Sequence, residues 1–294
     1  MDIGLILPTM PVGANAEGIE AAAETAAALG WSTIWTTDHV LVEQADAPEY
    51  GEIFEAVLTL AYLAGRTPRV RLGTSVIVVP QRNAVLLAKE LATLDLLSRG
   101  RLVAGVGAGW SAPEFANLGM GERFRVRGAY LDETIRLWRA LWGGAAEFEG
   151  RFHRFAGAAF GPLPPQGAAL PIVVGGRSPA ALRRAGRLGD GYHSSAAGPA
   201  QIGERLPLLE AAASDVGRPR PPISCRVGVR LDAPPASGPY AMRGSPEAMV
   251  AELRAFDALG VAEVACGFGE TDPERVVAAM VRFDREVVAA FRGS

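Results

Sequence analysis

Residues Trp31–Val40 read WSTIWTTDHV, an apolar stretch that runs into the carboxylate of Asp38 and the imidazole of His39. Only 3 histidines occur in the 294 residues. An imidazole where a strand ends can exchange a proton near neutral pH. The same pair also reads as a helix cap, Asp38, beside a hydrogen-bonded structural histidine, and the residues alone leave both readings open.

Three other stretches carry groups of this kind. The third apolar run contains Gly73-Thr74-Ser75-Val76. Gly105–Trp110 reads GVGAGW, in which Gly107 and Gly109 leave room for a flat ring to approach the backbone. Trp110 either lines a pocket there or covers the end of the fold. Gly175-Gly176-Arg177-Ser178 precedes a helix that starts near Pro179, and free N–H groups beside Arg177 and Ser178 suit an anion. It also reads as an ordinary strand-to-helix turn with Ser178 as cap and Pro179 in the first helical position. His193 and Tyr50 join these as candidate pocket residues, and His153 reads as a surface residue. No HExxH, paired cysteines or carboxylate cluster points to a metal, and no GxSxG to a serine hydrolase.

Such groups need a frame. Apolar runs at Ile3–Leu7, Thr33–Thr36, Val70–Val79, Leu102–Val106, Ile172–Val174, Gly191–Ser194, Ile223–Leu231 and Val261–Gly267 alternate with helical patterns. The helices span Asn15–Leu29, Ile53–Gly65, Asn83–Leu97, Gly128–Trp142, Pro179–Leu188, Pro199–Ser214, Pro246–Leu259 and Pro273–Phe291. Asn15 reads as a helix N-cap and Gly30 as a stop. Strict strand–helix alternation predicts a parallel sheet with right-handed crossovers, and a count near eight predicts a closed (β/α)8 TIM barrel over residues 1–294, one domain. An open doubly wound sheet is the runner-up, weakened by the lack of GxGxxG after the first strand. Gly143–Leu170, with a hairpin at FEGRFHRF, reads as an excursion between the fourth helix and the fifth strand. In a barrel of this kind the site forms at the C-terminal ends of the strands, where every candidate above falls.

A net charge of −3 argues against nucleic acid or an anionic membrane as the main partner. No apolar run approaches the ~20 residues of a membrane helix, and the N-terminus lacks a signal-peptide pattern. Cys225 and Cys266 have no metal-ligand spacing, so a reduced, cytoplasmic setting is expected.

Leu29–Val40, Arg71–Trp110, Arg127–Trp142, Phe148–Phe155 and Leu170–Ser195 together resemble the bacterial luciferase-like family, in particular its F420-dependent oxidoreductase branch. The resemblance implies a deazaflavin ring at the barrel mouth with Asp38 and His39 against it. It implies a non-prolyl cis peptide at Ser75–Val76 behind the ring, with Thr74, Gly107 and Gly109 around it, and a cofactor phosphate site at Gly175, Gly176, Arg177 and Ser178. Arg177, Arg183, Arg184 and Arg187 are candidates for the polyglutamate tail of F420, with a solvated helix face as the alternative for Arg183 and Arg187. Sugar-phosphate dehydrogenases of this branch carry a glutamate proton donor where Trp110 stands, which puts a sugar-phosphate substrate in doubt.

The implied function is hydride transfer between C5 of F420 and an organic substrate, with reduction the expected direction. The alternatives are an FMN-dependent monooxygenase and a non-catalytic flavin or deazaflavin carrier. Expected partners are a small-molecule or peptide-like substrate, walled by Tyr50, Phe54, Phe115 and Phe124, and a second copy in a homodimer.

Overall fold

The computed structural model of the chain describes residues 1–10 and 12–293. Eight parallel strands form its centre: β1 Asp2–Ile6, β2 Thr33–Thr36, β3 Arg71–Thr74, β4 Leu102–Gly107, β5 Ile172–Gly175, β6 Gly191–Ser195, β7 Ile223–Leu231 and β8 Val261–Gly267. Each pairs with the next, and β8 returns to β1 through Asp2↔Glu263 to Leu5↔Cys266, so the sheet closes into a (β/α)8 barrel as expected. Around it lie α1 Ala16–Ala28, α2 Ala56–Ala64, α3 Ala84–Leu97, α4 Gly121–Trp142, α5 Pro179–Leu188, α6 Pro199–Ser214, α7 Pro246–Ala258 and α8 Pro273–Phe283.

Local chemistry sets these boundaries. Asn15 accepts from Gly18 N at 2.8 Å, Asn83 from Val85 N and Leu86 N, both at 3.0 Å, and Ser178 from Ala181 N at 3.3 Å, each satisfying orphan donors of a first turn. Gly30, at φ +70°, closes α1 in the left-handed conformation. Buried Trp138 and Trp142 of α4 donate to the carbonyls of Ala84 and Ala88 on α3, which ties the two helices in register.

The barrel interior is filled from below. Ile6, Trp35, Val103 and Ala265 form an inner cluster, with Val173 packed on it. Trp35 donates to buried Glu263 at 2.7 Å, and a Cβ on Gly73 would lie 2.3 Å from the Trp35 ring, so only glycine fits there.

Some elements differ from the sequence expectation. The continuous third strand expected over Val70–Val79 breaks after Thr74 and resumes at Ile77–Val78, and the break holds the Ser75–Val76 cis peptide that the resemblance implied. The fourth helix starts at Gly121 instead of Gly128, and the last helix gives way at Asp284–Val288 to a wider turn. A further strand, Ala241–Gly244, pairs with the outer end of β7. In the hairpin, Phe148 pairs with Phe155. Glu133 of α4 holds it by accepting from the N–H groups of Arg151, Phe152 and His153 at 2.7–2.8 Å. His153 is half-buried against Tyr130, not on the open surface. Among the described residues no helix is long and apolar enough to cross a membrane.

Candidate active site

Asp38 and His39 leave the C-terminal end of β2 in opposite directions. Asp38 is buried and receives both arms of the Arg82 guanidinium, at 2.7 and 2.6 Å, and Val78 N at 2.8 Å. This bidentate pair is a latch between the loop after β2 and the end of the third strand. The carboxylate is neither a helix cap nor a partner of the adjacent histidine.

His39 finds its carboxylate elsewhere. Its Nδ1 lies 3.0 Å from Glu114 Oε2, and Val40 N donates to Glu114 Oε1 at 2.7 Å. Glu114 sits in the short helix Ala112–Asn117 after β4, with its backbone N–H capped by Ser111 Oγ at 3.3 Å. Burial alone would raise its pKa. Hydrogen bonding by His39 and Val40 N–H, with the dipole of the nearby Gln81 carboxamide, outweighs burial and brings it down to about 2. An ionised carboxylate only accepts, so in the neutral His39 ring the proton sits on Nδ1, and Nε2 keeps a free lone pair with no hydrogen-bond partner among the described residues. The Gln81 amide beside it is buried, and neither its nitrogen nor its oxygen has a partner of hydrogen-bonding geometry among the described residues.

Aromatic faces enclose His39. The Tyr50 ring is 4.5 Å from it and the Trp110 ring 5.7 Å, with Trp110 56% exposed at the rim. Burial, and then the Glu49 carboxylate, push the Tyr50 phenol up to about 12, so it stays protonated.

Beneath the mouth, His193 is 2% exposed and stacks on Trp35 at 4.5 Å. Its Nε2 bonds Ser75 Oγ at 2.8 Å and its Nδ1 bonds Ser224 Oγ at 2.6 Å. Burial, reinforced by the Arg226 charge, lowers its pKa to about 3, so it is neutral. With both nitrogens engaged, it supports the floor and does not line an open pocket.

The glycines surround a side chain of the protein itself. A Cβ on Gly107 or on Gly175 would come within 2.7 Å of a Val76 methyl, and one on Gly105 would strike Thr74 O at 1.7 Å. Val76 thus occupies the space left by glycines on β4 and β5. Thr74 Oγ1 bonds Gly105 O at 2.7 Å and Gly105 N at 2.9 Å, stitching β3 to β4 where the strand breaks. Gly109, at φ +80°, packs against Val78 and Phe115. Gly176 has φ +129°, which turns the chain into α5 and leaves Arg177 and Ser178 exposed at the helix start.

A family model described as luciferase-like monooxygenase matches residues 1–259. The chain belongs to that family. The luciferase-like chain is 34% identical over 185 residues to the F420-dependent glucose-6-phosphate dehydrogenase of Nocardia farcinica, which covers 60% of this chain and 54% of the relative. It therefore spans about half the length of that curated relative. Its fold matches an F420-dependent secondary alcohol dehydrogenase in complex with an F420-acetone adduct, with TM-score 0.81, 19% identity, and coverage of 97% of this chain and 98% of that one. It also matches the oxygenating constituent of 3,6-diketocamphane monooxygenase from Pseudomonas putida, a type II Baeyer-Villiger monooxygenase in complex with FMN, with TM-score 0.79, 16% identity and 98% coverage of both chains.

In this luciferase-like barrel His39, Tyr50 and Trp110 come together, and Ser75, Val76, Gly107 and Gly175 meet at the break in the third strand. Phe115 is fully buried against Phe124, so it is not a pocket wall. Arg184 is taken by Asp132 and Arg187 by Asp215 at 3.0 Å, which leaves Arg177 and Arg183 exposed without ion-pair partners among the described residues. Sequence reasoning missed Glu114, Arg82 and Arg226. Ser111-x-x-Glu114 is a capping-box pattern, a local signal that hides the contact with His39. Arg226 was signalled by ISCRVGVRL, whose alternation puts Ser224, Arg226, Gly228 and Arg230 on the face opposite to buried Cys225, Val227 and Val229.

Proposed function

We propose that this protein is an F420-dependent oxidoreductase that transfers hydride between the deazaflavin and a small organic substrate. The observation that carries this is His39 at the barrel mouth, held through Nδ1 by ionised Glu114 with Nε2 free beside the Tyr50 and Trp110 rings. The relative named for F420 dependence supports the cofactor.

The residues present fit such a group. Val76, seated in its glycines, closes one wall of the mouth, and the turn after Gly176, with Arg177 and Ser178 exposed at the start of α5, offers N–H groups and a cation to a phosphate. When bound, F420 supplies or accepts the hydride. The chain orients the reactants and screens them from water with Tyr50 and Trp110. His39 Nε2 accepts a proton in the neutral form and donates one in the charged form, and Glu114 stabilises the charged ring. Glu114 itself is held ionised and is no proton donor. With Trp110 in place of a glutamate on the fourth-strand loop, a sugar phosphate is not the substrate we propose.

Exposed Leu58 and Tyr62 on α2 and Val85, Leu86 and Leu97 on the adjacent α3 support a homodimer, and two free buried thiols support a cytoplasmic setting. A fluorescence titration with F420 and, separately, FMN tests the reading. Tight F420 binding that weakens in His39→Ala upholds it. Preference for FMN turns the assignment to the monooxygenase class, and binding of neither to a non-catalytic barrel.

A further inference from the structure

A cavity of about 470 Å³ opens among the ends of β1, β7 and β8 and the segments around Met10 and Glu49. That is a small-molecule size. Ile6, Leu7, Met10 and Phe268 make most of its wall apolar. Three charged groups face it, and they are not alike. Arg230 already donates to the carbonyls of Val229, Gly267 and Phe268 at 2.8–3.3 Å. Glu49 is exposed on the rim and is not within ion-pair distance of any cation among the described residues. Arg226 projects inward from β7, and the one hydrogen-bonding contact of its guanidinium among the described residues is Met10 Sδ at 3.5 Å. A guanidinium with five donors in a mostly apolar cavity lacks the acceptor it is built for.

The cavity adjoins the reacting end. Tyr50 lies 4.5 Å from His39 on one side, and on the other its neutral hydroxyl and the Glu49 carboxylate are within electrostatic reach of Arg226, without an ion pair or hydrogen bond to it. The glycine-seated Val76 is on the opposite arc of the barrel, formed by β3, β4 and β5. One unpaired cation calls for one negative charge, and Glu49 on the rim disfavours a second.

We propose that Arg226 is a substrate-binding residue that receives a carboxylate, so that the substrate is a monocarboxylic acid with a compact apolar body. This rests on the reading of the mouth as an oxidoreductase site.

Calorimetric titration of the purified chain with hexanoate, hexanamide and hexyl phosphate tests it, beside a separate F420 titration. Hexanoate is expected to bind at least about tenfold more tightly than hexanamide and no less tightly than hexyl phosphate. In Arg226→Met, which keeps apolar bulk, the preference for hexanoate over hexanamide should fall below about twofold, with F420 affinity held within about twofold. Arg226→Lys should restore part of the preference. Equal binding of hexanoate and hexanamide, a preference that survives Arg226→Met, or tighter binding of hexyl phosphate overturns the proposal. So does parallel loss of F420 in Arg226→Met, which would give the arginine to the cofactor. A wild-type chain that binds no F420 sinks the functional reading alone, because the hexanoate comparison does not use the cofactor.

Discussion

His39 and Glu114 stand 75 residues apart in the chain and meet at 3.0 Å, and this contact decides which nitrogen of the neutral imidazole holds the proton and which keeps its lone pair free. Glu114→Gln removes the acceptor-only partner and frees the ring to carry its proton on either nitrogen. Nitrogen-15 chemical shifts, taken where the ring is neutral, should show Nδ1–H in the wild type and a mixture of tautomers in Glu114→Gln. An unchanged tautomer in the variant would remove Glu114 from its positioning role.

Glu114 also ties stability to pH. Its folded pKa, about 2, lies below the ordinary 4.5, so the unfolded chain binds the proton first as the solution is acidified. Its contribution is complete above pH 4.5 and is lost as the pH falls to about 2, a change on the order of 3 kcal/mol for a shift of this size. The urea midpoint of Glu114→Gln should therefore fall less steeply over that window than that of the wild type. Parallel curves would show that the carboxylate is not held ionised by its neighbours.

Asp38 acts through Arg82. Arg82→Met strands a carboxylate whose side chain is 1% exposed, with Val78 N–H its remaining partner among the hydrogen bonds described above. A loss of about 3–5 kcal/mol in unfolding free energy is expected. The Asp38→Asn, Arg82→Met double variant should regain part of it, as coupled neighbours do. Asp38→Asn alone should leave the His39 nitrogen shifts where they are. A shift comparable to that of Glu114→Gln would return Asp38 to the proton machinery.

Val76 and the glycines around it form a matched set. Gly175→Ala places a Cβ 2.7 Å from a Val76 methyl, and a destabilisation of about 1–3 kcal/mol is expected from such overpacking. Adding Val76→Ala should recover much of it, read as a coupling energy in a thermal double-mutant cycle. Additive losses would mean that the glycine answers to some other constraint.

The barrel itself was legible because its signals are local. Asn15, Asn83 and Ser178 cap the helices they precede, and the apolar runs fall on the eight strands. Asp38-His39 was correctly placed at the end of β2, yet the partner of each lies on a distant segment that no periodicity connects to it. The break in the third strand was hidden by an unbroken apolar run from Val76 to Val79, and the strand Ala241–Gly244 by the Gly- and Pro-rich segment before it. Arg226 is a third kind of case. Its alternation was visible, but an inward polar residue gains meaning only once the barrel is known to close and to leave a cavity there.

The glycine-seated valine and the Arg226 cavity occupy opposite arcs of one ring of strands, β3 to β5 against β7, β8 and β1. Ile6, Val103, Val173 and Ala265, and the Ser75–His193–Ser224 chain, join the two arcs beneath the mouth, so only side chains above that floor can diverge on one arc without repacking the other. A lineage built on this barrel can change what it acts on through β7, β8 and β1 while inheriting the other arc intact.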